Sequence, residues 1–243
     1  FTESVRQPIF LILVLLSDLS HIFYTASSGY SLAYSDSAQV HGDDKRLLDL
    51  GMATVLFCGT LLAAFLATAA ISREIDNRTI LTVISKPVPR PAVVLGKFLG
   101  TSWAVLIALA IMLVFLLMGV RHGVLTTVRD PIDQPILVLG LAALLISAAV
   151  GAWGNFFYGW HFCQTMALLL CPLIILALLI ALNFNHQWKP QPFSKDVKVQ
   201  VLTAAGCLVF AQLVLSAMAI AASTRLGQVM TIVACFAAFT AGL

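Results

Sequence analysis

The chain has 243 residues, of which 60% are apolar and 10% charged, with a net charge of +3 and a mean hydropathy of +0.98. Soluble domains run at about 45–50% apolar and about 25% charged. With 14 Lys and Arg and 11 Asp and Glu, too few charges exist to coat a soluble sphere of this size. A soluble globular enzyme and a disordered chain are excluded. The small net charge and the lack of a long basic run also exclude a nucleic-acid binder.

A bilayer-spanning helix needs about 20 mostly apolar residues. Six runs qualify: 9–30, 50–71, 92–120, 135–153, 163–182 and 199–222. A seventh, 229–243, is short for a span. Backbone polar groups in lipid must be satisfied internally, so each run is expected to be a helix. Rich Ala, Leu and Gly content does not alternate as barrel strands do. The fold expected is therefore an all-α integral membrane protein. It has at least six transmembrane helices and a truncated seventh in one transmembrane domain over 1–243. The chain starts at Phe1 rather than Met and stops inside the seventh run, which reads as a piece of a longer protein. Residues 1–7 carry Glu3 and Arg6 before the chain meets the first apolar run. The first run reads as a signal anchor, since no small-residue cleavage site closes it.

The connections differ in character. Residues 31–49 are polar and acidic, and are read as a loop. Residues 72–91 are charged and contain three prolines. Residues 154–162 are aromatic and uncharged, and are read as a tight turn. Lys and Arg in the loops usually mark the cytoplasmic side. Here they divide seven against seven, so the count alone leaves the orientation open.

The segment 72–91 is the most informative. Its first half is too charged to span, yet Ile75, Ile80, Leu81, Val83 and Ile84 recur at near-helical spacing. That pattern predicts a short amphipathic helix in the interface plane. Asp76 or Asn77 is placed to cap it. Pro87 ends it, because proline lacks the N–H and disfavours helix in the residue before it. Pro91 suits the first turn of the next helix. From composition alone the segment is either a charged anchor between two spans or a docking element for a soluble partner.

The stretch 71–100 resembles the segment after the second span in permeases of the type-2 ABC exporter family. The residues that carry the likeness are Glu74, Thr79, Leu81 with Ile84, Pro87 with Val88, Arg90, and Gly96 with Lys97. Thr2 to Pro8 looks like that family's lead-in to the first span, and Ser223 to Gly227 like its turn after the sixth. One departure is Arg78, where many members have Gly before the Thr. The resemblance implies the membrane half of an ATP-driven exporter in a bacterial plasma membrane, with a cytoplasmic N-terminus. The segment between spans two and three would be a cytoplasmic coupling helix. It would dock a separate ATPase through Arg73, Glu74, Asp76, Arg78, Thr79, Leu81, Ile84, Lys86, Pro87 and Arg90. Two ATPase copies and a second permease, identical or related, would complete the transporter within membrane lipid. The chain contains no G-x-x-x-x-G-K-[ST] loop, so ATP and Mg are expected on the partner and no cofactor on this chain.

Asp18 and His21 stand out inside the first run. They are three residues apart, hence on one helix face, and an ionisable group at that depth is costly. One reading is a lining of the translocation path or a proton relay. The other is a structural carboxylate bonded by Ser17, Ser20 or another helix. An ion-coupled secondary transporter built on Asp18 and His21 is the alternative function, but no inverted repeat or broken helix supports it. A membrane enzyme acting on lipid would need a convergent catalytic cluster, and none is visible. Gly59, Ala63 and Ala67, and Gly96 with Gly100, recur every four residues and are expected to let helices approach closely. The five cysteines read as small buried hydrophobes.

Overall fold

The computed structural model describes residues 1–28, 38–76, 90–123, 132–192, 196 and 198–242; the side chains of 28, 38–44, 71–76 and 90–91 fall outside that description. The described residues form eight helices: α1 Thr2–Arg6, α2 Pro8–Ser28, α3 Ala38–Asp76, α4 Arg90–His122, α5 Gln134–Tyr158, α6 Phe162–Ala181, α7 Val199–Ser223 and α8 Gln228–Gly242. Six are long and apolar enough to cross a bilayer, and α8 is a shorter apolar helix. The molecule is an all-α, multi-pass membrane protein.

The break between α1 and α2 has a local cause. Gln7 precedes Pro8 and adopts φ −68°, ψ 130°, the extended geometry that a following proline imposes. Pro8 then opens α2, where a missing N–H costs nothing. The lead-in is held by burial of Ser4 and Val5. Arg6 also donates from Nε to Gln164 Oε1 on α6 at 2.8 Å.

Residues 38–49, expected as loop, are the first three turns of α3. The segment has no proline, and extending an established helix adds one hydrogen bond per residue fixed, so polarity alone does not end it. The same helix continues past Ala70, where its apolar span stops, to Asp76. Its 39 residues amount to about 58 Å at 1.5 Å per residue, nearly twice the bilayer's hydrocarbon thickness.

The α5–α6 turn is shorter than expected, because α5 runs on to Tyr158. Gly159, at φ 67°, takes the left-handed conformation that closes the helix. Trp160 N–H returns to Gly154 O at 3.1 Å, and its ring lies where a side chain on Gly154 would stand.

Helices α3 and α4 make the centre. Helix α3 packs on α2, α4, α7 and α8, and α4 on α2, α3, α6 and α7, while α5 leans on α6. The main core joins Phe10 and Val14 of α2 with Val55, Leu62 and Leu66 of α3, Leu109 and Met112 of α4, and Leu170 and Ile174 of α6. Ala64 and Ala67 form a second cluster with Ala219, Ile220 and Cys235. The small residues of α3 therefore pack inside this chain. Gly59 admits the Gln212 side chain of α7. Gly100 admits the backbone of Phe1 rather than another span, and Gly96 meets nothing within 4 Å. Cys207, expected to be buried, is exposed on α7. Large apolar side chains such as Leu137, Leu141, Leu145 and Trp153 of α5 face outward, as lipid requires.

Candidate functional site

Three polar zones interrupt the apolar bundle. At the Pro8 end, α3 and α4 flank the connection 77–89. Arg73, Glu74 and Asp76 lie in the last turns of α3, and Arg90 is the first residue of α4; the side chains of these four are outside the described residues. Arg78, Thr79, Leu81, Ile84, Lys86 and Pro87 lie outside the described residues altogether. Seven residues into α4, Lys97 donates from Nζ to the Ala70 carbonyl at 2.8 Å. A cavity of about 270 Å³ sits there, walled by Ser4 and Gln7 of the lead-in, Ala69 and Ala70 of α3, and Gly96, Lys97 and Thr101 of α4. The helix ends that carry the connection are thus tied together and backed by α1.

The second zone is at mid-membrane. Asp18 is ten residues beyond Pro8, or about 15 Å along α2, which is half of the bilayer core. Asp18 and His21 are 2% and 4% exposed, and both turn toward α3. His21 Nδ1 donates to the Ser17 carbonyl; its Nε2, toward Gly51, makes no hydrogen bond of good geometry. Cys58 lies within electrostatic reach of Asp18. Neither serine satisfies the carboxyl group: Ser20 Oγ donates to Leu16 O, and Ser17 Oγ and both Asp18 oxygens have no hydrogen-bond partner. Gln212 of α7 was not anticipated. It is fully buried, both its amide atoms lack partners, and it faces Gly59 of α3. An amide in the middle of the 25-residue apolar helix α7, whose other glutamine, Gln200, is at its first turn, was the available signal.

The third zone, at the far end, is an ionic cluster also not anticipated. Arg121, at the end of α4, has a side chain 4% exposed. Its Nε lies 3.1 Å from Asp196 Oδ2 and 3.5 Å from Asp133 Oδ2, and its Nη2 donates to the Phe184 carbonyl at 2.6 Å. Asp133 is fully buried and caps α5, accepting from Ile136 N–H at 3.4 Å. His186 Nδ1 stands 3.1 Å from Asp133 Oδ2, and Gln191 Nε2 donates to Asp196 Oδ2. Among the described residues no three His, Cys, Asp or Glu side chains converge as metal ligands.

Against known families, residues 1–241 match the family model described as ABC-2 family transporter protein. No curated protein and no solved structure matches the chain. The family match runs from the lead-in α1 to within two residues of the end, through all six apolar helices and the segment between α3 and α4. The chain therefore belongs to the ABC-2 transporter family, as a multi-pass membrane permease component.

Proposed function

We propose that this chain is the membrane-spanning half of an ATP-driven exporter in a bacterial plasma membrane, coupled to a separate ATPase. ATP and Mg sit on that ATPase, two copies of which serve two permeases. The observation that carries this reading is the placement of charge. Seven of the chain's charged residues fall between Arg73 and Lys97: Arg73, Glu74 and Asp76 close α3, Arg90 and Lys97 lie at the start of α4, and Lys97 ties the two helices together. A docking element needs that construction, because force applied to a loose loop is lost before it reaches a span. With the partner on this side, the Pro8 end is cytoplasmic and the far end faces outward.

In this assignment Arg73, Glu74, Asp76, Arg78 and Thr79 meet the ATPase polar surface. Leu81, Ile84 and Pro87 supply its apolar contact, and Lys86 and Arg90 flank it. Double charge reversal, Glu74→Lys with Arg78→Glu, is expected to abolish co-purification with the partner ATPase and permease-stimulated ATP hydrolysis. Unchanged coupling would overturn the assignment.

Asp18 and His21 are proposed to belong to the translocation path. The support is their burial at mid-membrane without hydrogen-bond partners on the carboxyl group, since a polar group left unmet in lipid is costly and usually functional. Loss of ATP-dependent transport in Asp18→Asn at normal protein level is expected. Transport that runs without the ATPase would favour the ion-coupled alternative.

A further inference from the structure

The connection from α6 to α7 is built as a closed strap over residues 183–192. Phe184 pairs with Pro190. Asn185 N–H donates to Lys189 O at 2.7 Å, Trp188 N–H to Asn185 O at 3.0 Å, and Gln191 N–H to Asn183 O at 3.0 Å. The rings of Phe184 and Trp188 meet with centroids 5.6 Å apart. At its tip Trp188 holds φ 59°, a strained conformation for a bulky side chain. Such strain persists only where the surroundings over-determine it.

The main fastening of the strap to the bundle is the Arg121 side chain. Arg121 takes the Phe184 carbonyl with Nη2 and Asp196 with Nε, while lying against Asp133 at the head of α5. A second link is His186 against Asp133. The network is incomplete. One guanidinium faces two carboxylates, and its Nη1, though buried, has no hydrogen-bond partner. A fully satisfied buried polar network rigidifies a structure, and a partly satisfied one holds less firmly.

We propose that residues 183–192 form a spring-loaded outer strap, with Arg121 as its catch, that must come off the ends of α4 and α5 for the transport cycle to complete. This rests on the permease reading given above. Arg121, by gripping Phe184 and Asp196, adds to the strap's own hydrogen bonds in holding Trp188 in that conformation. Release relaxes the tip, and the same grip resets it. Lifting the strap frees α4, α5 and α6, which it otherwise joins at their outer ends.

The test uses the permease with its ATPase in lipid nanodiscs, the five native cysteines replaced by alanine. Asp133→Cys with His186→Cys puts one thiol on each side of this contact, and a short bis-methanethiosulfonate linker joins them and pins the strap. Permease-stimulated ATP turnover is expected to fall at least about fivefold on cross-linking and to return with reductant. Turnover indifferent to cross-linking overturns the strap. No stimulated turnover in the cysteine-free parent, with Asp133 and His186 intact, counts against the permease reading instead; in that case, or where the pair alone is inactive before linking, the strap is decided on the permease alone. There a nitroxide on Lys189→Cys is expected to become more mobile when Arg121→Gln is added, with partial recovery in Arg121→Lys. Equal mobility in all three overturns the catch.

Discussion

The ammonium of Lys97 on α4 donates to the main-chain carbonyl of Ala70 on α3 at 2.8 Å, so the two helices that leave the membrane toward residues 77–89 are fixed to one another. Hydrogen bonds from charged groups contribute about 1.5–3 kcal/mol when buried. Lys97 is half-buried, and solvent screening brings its expected share nearer to about 1 kcal/mol. Lys97→Met keeps the apolar stem and loses the donor. It is expected to lower the thermal midpoint in detergent by a few degrees and to reduce ATPase stimulation by a larger factor than the stability loss explains. A variant with normal stimulation would show that the tie is not part of the coupling path.

Two glycines make opposite predictions. A Cβ on Gly59 would stand 3.1–3.3 Å from the side-chain amide of Gln212, whereas one on Gly96 would meet nothing within 4 Å. Gly59→Leu is expected to destabilise by about 1–3 kcal/mol through overpacking of the α3–α7 contact. Gly96→Ala is expected to be neutral, or to stabilise by about 0.5–1 kcal/mol through helix propensity. Paired thermal melts decide both, and a loss at Gly96 comparable to that at Gly59 would contradict the packing described.

Asp18 supplies a stability test separate from transport. Its oxygens have no hydrogen bond to lose, so Asp18→Asn is expected to leave the thermal midpoint unchanged and Asp18→Leu to raise it. Replacing buried, unpaired polar groups by apolar ones of similar size is often neutral or stabilising. A drop of several degrees in Asp18→Asn would reveal a partner for the carboxyl group.

Asp133 has two roles that substitution separates. Asp133→Asn keeps an acceptor for Ile136 N–H but removes a charge from Arg121, while Asp133→Ala removes both. Loss of a cap costs about 1 kcal/mol, and breaking a buried ion pair about 3–5 kcal/mol. Asp196 still faces Arg121, so the lower end of that range is expected for both variants, with alanine the worse by the cap. Equal melts for the two variants would mean that Asp133 does not cap α5.

Much of this architecture was legible in the sequence, because one physical rule dominates it. A run of about 20 apolar residues in lipid has to be a helix, so α2 and α4 through α7 follow from hydropathy. The rule says nothing of where a helix stops outside the lipid, which is why the polar first turns of α3 read as loop. It is equally silent on pairs distant in sequence. Arg121 and Asp196 are 75 residues apart, and no period of a helix or strand links them. Gln212 was visible as an amide but not as the partner of a glycine on another span. The charged segment before α4 was legible as a unit from its composition, whereas the ten residues assigned to docking rest on family likeness and on the helix ends that flank them.

The length of α3 sets how motion at one membrane face is felt at the other. A continuous helix with no proline along its 39 residues behaves as a single rod. If it pivots near mid-membrane, a tilt of about 10° carries each tip about 5 Å, in opposite directions, given a half-length of about 29 Å. A push at Arg73 to Asp76 thus reappears inverted at Ala38, like the two seats of a seesaw. Narrowing at one face is geometrically bound to widening at the other, with no joint needed between them.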